Sequence, residues 1–129
     1  QEGVIIMAGK NQIGWFEIHV KDIEKAKDFY GKLFGWEFYL SQSTKSQYWN
    51  INTGEGSIGG GFMKKEKPEH EGQAVLIYVE VEDIEATLKN ANELGGKTHT
   101  PKTMINEKAG YFALFYDNDG NLIGLWSKN

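Results

Sequence analysis

Glu17, His19 and Glu80 are the residues of this chain whose chemistry and spacing first point to a site. Glu17 and His19 flank Ile18 in Ile13–Val20, so a strand's period of two puts them on one face together with Trp15. Two carboxylates and an imidazole converging from paired strands supply the donors of a displaced divalent-metal site or of an acid/base pair. The plainer expectation is a solvated, charged strand end held by an ion pair. Around these groups Trp15, Trp49, Tyr78 and Trp126 offer flat apolar surface with one polar handle each, suited to stacking on a planar ligand. Gly61, Met63 and Leu76 complete the candidate ligand-binding set. His70 and His99 have no partner at ligand spacing and read as surface residues. Asp117-Asn118-Asp119-Gly120 reads as a structural turn, because the twelve-residue calcium pattern is missing around it. No phosphate-cradling glycine loop, nucleophile elbow or Ser-His-Asp order is present.

The elements that must position these groups come as a repeat. Val20-Lys21-Asp22-Ile23-Glu24 recurs sixty-one residues on as Val81-Glu82-Asp83-Ile84-Glu85. Each copy reads as strand, acidic turn, helix and a glycine exit, at Gly35 in the first and Gly95-Gly96 in the second. In the first helix Ile23, Ala26, Phe29, Tyr30 and Leu33 recur at helical spacing behind an Asp22 cap; in the second Asp83 caps Ile84–Leu94, with Ile84, Leu88 and Ala91 inward. Strands follow at Trp36–Leu40, Tyr48–Asn52 and Ser57–Lys64. In the last of these Gly59-Gly60-Gly61 leaves bare backbone for close packing or for a ligand. The second half repeats the order with Ala74–Val81, Lys97–Lys102 up to Pro101, a loop TMINEKAG, and a hairpin of Tyr111–Tyr116 and Leu122–Ser127. The fold class is therefore α+β: two tandem βαβββ modules forming a curved, half-open sheet with one helix packed behind each half. Module one is 13–64, the charged linker 65–72 and module two 73–127, with 1–12 an N-terminal extension whose first six residues precede Met7.

Composition narrows the function. A chain of 129 residues that is 40% hydrophobic supports one core-forming domain. With no Cys, thiolate catalysis, disulfides and cysteine-bound zinc are excluded, which suits a cytoplasmic location. A net charge of −4 argues against nucleic acid and anionic membrane as partners, since both call for clustered cations. Val4–Met7 is too short an apolar run to span a bilayer.

Three segments carry a resemblance: the opening strand into VKDIEKAKDFYGKLFGWEF, the later VEVEDIEATLKNANELGGK, and the closing FYDNDGNLIGLW. Together they resemble the vicinal oxygen chelate superfamily of glyoxalases, bleomycin-resistance proteins and extradiol dioxygenases, over about Ile13 to Ser127. In the metal-dependent members of that superfamily, ligands come from the first and last strand of each module. The resemblance puts those places at Trp15, Leu76, Gly124 and about Gly61. None of these side chains ligates a cation, so the resemblance implies no metal and no cofactor of the standard kind. It implies instead a small-molecule-binding protein with an aromatic-lined cleft, acting as a homodimer. The alternatives are a metal-dependent lyase, isomerase or dioxygenase using Glu17, His19 and Glu80, and a dimeric interaction module without a ligand.

Overall fold

The computed structural model describes residues 11–42, 48–65 and 72–129. It contains eight strands and two helices in the order β1 (Ile13–Val20), α1 (Ile23–Phe34), β2 (Glu37–Leu40), β3 (Tyr48–Asn52), β4 (Gly59–Lys64), β5 (Val75–Glu80), α2 (Ile84–Glu93), β6 (Lys97–Asn106), β7 (Gly110–Tyr116) and β8 (Leu122–Ser127). This is an α+β fold of two tandem βαβββ modules. By compactness the chain divides into Trp15–Ile77 and a second unit of Tyr78–Asn129 with the described residues before Trp15.

In the first unit the strand order is β2-β3-β4-β1, with β1 and β4 parallel and the other pairs antiparallel. α1 starts where the Asp22 carboxylate accepts from the Lys25 amide at 3.0 Å, and it stops at Gly35 in the left-handed region at φ 73°. Its inward stripe is Ile23, Ala26, Lys27, Tyr30 and Gly31, which leaves Phe29 and Leu33 on the outer flank, 59% and 58% exposed. Of the apolar residues at helical spacing, Ile23, Ala26 and Tyr30 therefore meet the sheet, and Phe29 and Leu33 do not. A Cβ at Gly31 would stand in contact with the Phe38 ring at 3.4 Å. The covered face holds an aromatic cluster, with Phe62 fully buried between Tyr30 and Phe38 at centroid distances of 5.6 and 5.4 Å.

In the second unit the order is β5-β8-β7-β6, with β5 and β8 parallel. α2 is capped as expected, Asp83 accepting from the Ala86 amide at 3.0 Å. It buries Ile84 and Leu88 against Val81, Ala113 and Leu125. One expectation fails: TMINEKAG is not a loop, because β6 runs through Pro101 to Asn106, paired with β7. β6 is the outer strand of this set, and its register shifts between Thr98 and Thr100 and again before Thr103, where an edge strand tolerates a residue without an N–H. Among the described residues no helix is long and apolar enough to cross a membrane.

Candidate functional site

The face of module one that α1 does not cover is built by three strands in fixed register. Gly61 lies between Glu17 of β1 and Asn50 of β3, and Met63 lies between His19 and Tyr48. All of these side chains share one face, together with Trp15.

The three glycines of β4 each face an aromatic ring. The Trp15 indole lies over Gly59, 3.2 Å from where a Cβ would stand. Phe16 lies over Gly60 on the helix side, and the Tyr48 ring lies directly on Gly61. None of the three has a positive φ, so the need for glycine is spatial: at Gly60 and Gly61 any side chain would occupy the volume of a ring, and at Gly59 it would press on the Trp15 indole. The Trp15 Nε1–H donates to the Tyr48 hydroxyl at 2.8 Å and locks the two rings together. Tyr48, 8% exposed, is a member of this face that the sequence reading passed over.

Next along β1, Glu17 and His19 are not solvated. They are 6% and 7% exposed, and their Oε1 and Nε2 atoms are 2.7 Å apart. This corrects the reading of a charged strand exit: His19 also pairs through its amide N–H with the Ala74 carbonyl at 2.7 Å, so the end of β1 is covered rather than frayed. A carboxylate only accepts, so Nε2 carries the shared hydrogen and Nδ1 of the neutral ring keeps its lone pair. That Nδ1 is buried and has no hydrogen-bond partner among the described residues. Lys65 stands close enough to interact with Glu17; burial pushes its ammonium below the usual lysine range, and the Glu17 charge opposes that shift.

In module two the Tyr78 ring lies on Gly124, its partner in the β5–β8 register. Trp126, on the same face as Gly124, donates its indole N–H to the Ala109 carbonyl at 2.6 Å. Glu80 is exposed, its backbone N–H bonded to the Gln12 carbonyl at 2.8 Å and its carboxylate near Gly14. Leu76 is 2% exposed.

The structure thus gathers Trp15, Glu17, His19, Gly61 and Met63 on one face of module one, and Tyr78 and Trp126 with Gly124 on one face of module two. Trp49 is separated from the first group: it alternates with Tyr48 and lies on the helix side, with Lys27 Nζ 3.5 Å above its ring. His99 is half-buried against Tyr116, its Nδ1 2.7 Å from the Thr100 hydroxyl, rather than on the surface. His70 and most of the linker lie outside the described residues.

The four places where the resemblance puts metal ligands therefore hold an indole, a buried isobutyl group and two glycines under tyrosine rings. This set does not fit a divalent cation, which takes carboxylate, carbonyl or imidazole donors. Among the described residues no three His, Asp or Glu side chains are grouped to hold a metal.

Comparison with known proteins gives the fold its family. The chain is 29% identical over 115 residues to a glyoxylase-like domain-containing protein of Didymella fabae, covering 85% of this chain and 88% of that one. Methylmalonyl-CoA epimerase from Mycobacterium tuberculosis superposes with a TM-score of 0.65 at 13% identity, covering 95% of this chain and 93% of that one. The Mn(II)-bound glyoxalase from Novosphingobium aromaticivorans superposes at 0.64 and 16% identity, covering 92% of this chain and 39% of that one. At such identities the two structures speak for the fold alone. Residues 12–125 match the family model, and with the three sequence segments and the paired βαβββ modules this shows that the chain belongs to the Glyoxalase/Bleomycin resistance protein/Dioxygenase superfamily.

Proposed function

We propose that the protein is a metal-independent, small-molecule-binding member of the superfamily, taking a planar, partly apolar ligand on the helix-free face of module one. The observation that carries this reading is the pair of tyrosine rings on Gly61 and Gly124. Where a ligating side chain would project, each module presents a ring, and a ring favours stacking over coordination. Trp15, tied to Tyr48, adds a second rigid aromatic surface that loses little conformational freedom when a ligand binds. A homodimer belongs to the same proposal, supported by the apolar residues that α1 leaves exposed, Phe29, Leu33 and Phe34. The absence of cysteine supports a cytoplasmic setting.

Two measurements test the reading. Elemental analysis after purification without chelator should find no stoichiometric divalent metal. A thermal-shift screen of divalent ions against flat aromatic compounds should raise the melting temperature with the compounds and not with the ions. A stoichiometric cation whose loss lowers the melting temperature would sink the reading.

A further inference from the structure

We infer that Nδ1 of His19 is the polar anchor of this site and that it accepts a hydrogen bond from a neutral hydroxyl group on a planar ligand. The inference rests on the binding reading above and names the chemistry of the ligand.

Three observations carry it. The first is the vacancy in the hydrogen bonding: Nδ1 is buried without a partner among the described residues, whereas Nε2 is engaged at 2.7 Å. Buried polar atoms are nearly always paired, and an unpaired one is costly, so a hydrogen bond to Nδ1 from an outside partner would be favourable. The second is the tautomer. In the neutral imidazole, Nε2–H donates to Glu17, which orients the ring and leaves Nδ1 as an acceptor, as a carboxylate does behind many functional imidazoles. An acceptor takes a donor, so the ligand must bring an O–H or N–H. The third is charge. The carboxylate that orients the ring lies next to it and is itself buried, so an anionic ligand meets a like charge, which Lys65 offsets in part. The site therefore prefers a neutral hydroxyl to a carboxylate. Trp15 and Tyr48 on the same face favour a flat ring carrying that hydroxyl. Met63, the cross-strand neighbour of His19 on this face, is unbranched and adaptable, and it is the side chain best able to move aside for entry.

Phenol is the minimal probe, with anisole and benzoate as controls. Anisole keeps the ring and the oxygen but has no donor; benzoate keeps the ring and brings a charge. The imidazole nitrogens of His19 and the indole N–H of Trp15 are followed by NMR in the nitrogen-labelled full chain. Phenol should move the His19 Nδ1 resonance in a saturable way, and neither control should. His19→Gln keeps a group for Glu17 but removes the atom at Nδ1, and it should weaken phenol at least tenfold. His19→Asn keeps a polar atom near Nδ1 and should stay within about threefold of the unmutated protein. Melting temperatures check that both variants fold, and Met63→Ala, which leaves the pair intact, should tighten phenol. An Nδ1 response to anisole equal to that to phenol, or no response to phenol at all, overturns the anchor. Phenol that moves Trp15 while His19→Gln binds it unchanged overturns the anchor and leaves the proposed binding face standing. A stoichiometric metal overturns that binding reading whatever phenol does.

Discussion

Gly61→Ala should destabilise the protein by about 2 kcal/mol, and the reason is one ring. The backbone at Gly61 has an ordinary φ, so alanine brings no conformational penalty there. It restricts the unfolded chain instead, a gain of roughly 0.4–1 kcal/mol. Against that gain stands the Cβ, which falls on the Tyr48 ring. Forcing a methyl group into packed space costs roughly 1–3 kcal/mol. If the ring moves to make room, the hydrogen bond from Trp15 to the Tyr48 hydroxyl is lost as well, for roughly a further 0.5–1.5 kcal/mol. Chemical denaturation should show the loss, with a melting temperature lower by about 6–10 °C for a domain of this size. Tyr48→Ala alone should cost roughly 3–5 kcal/mol, as large aromatic truncations do. The double variant decides the matter, because removing the ring removes the clash. Its cost should fall short of the sum of the single costs by roughly 1–3 kcal/mol. Additivity within about 0.5 kcal/mol would refute the claim that the glycine is there to seat the ring.

Three further outcomes follow from the same geometry. Glu17→Ala leaves a buried imidazole and a partly buried ammonium without their carboxylate, and should lower stability by roughly 1–3 kcal/mol in denaturant titration. Lys65, whose folded value is lowered by burial, binds fewer protons folded than unfolded between that value and the ordinary lysine value of 10.5, so its folding penalty fades as pH rises through this window. Relative to Lys65→Met, the unmutated protein should therefore gain stability on the alkaline side, and Glu17→Gln should steepen the gain. Asp117 is held below its ordinary value first by the Asn121 side chain and then by backbone amides, so its contribution is present above about pH 4 and lost as pH falls through the lowered folded value. Asn121→Ala should flatten that part of the acid-unfolding curve.

The signals that could be read from the sequence were local or repeated. Asp22 and Asp83 cap their helices because a short carboxylate three residues before a free amide reaches it in either module. The repeat spaced the strands, and strand alternation placed Trp15, Glu17 and His19 together. Signals that depend on a partner strand were not legible. In Tyr48-Trp49-Asn50 nothing in the residue types says which ring faces α1; the register with Phe62 decides it, and it sends Trp49 to the helix side and Tyr48 to Gly61. Pro101 reads as the end of a strand unless the strand is known to be an outer one. Phe29 and Tyr30 are adjacent in α1, and helical spacing alone does not tell which of them meets the sheet. The burial of Glu17 and His19 was invisible for the same reason, since charged residues are usually exposed and their mutual pairing at 2.7 Å is a fact of geometry.

The glycines of the closing strands and the tyrosines above them make sense only together. Gly61 considered alone is a weak point of β4, and Tyr48 considered alone is a bulky ring at the start of a short strand. Seated on one another, the bare backbone gives the ring room, and the ring supplies the apolar contact that glycine lacks. Module two makes the same match with a different tyrosine, Tyr78 from β5 rather than one from the strand that follows the helix and its partner. The two rings reach equivalent glycines from non-equivalent strands, so the match is not a by-product of the repeat. For this reason restoring a carboxylate at Gly61 alone would not rebuild a cation site. Its Cβ would have to enter the space of the Tyr48 ring, and that ring is held by Trp15, which itself stands at another of the ligand positions. Module one is thus committed to an aromatic surface by three mutually dependent residues, and the one unpaired buried side-chain polar atom among the described residues lies farther along the same strand, at His19.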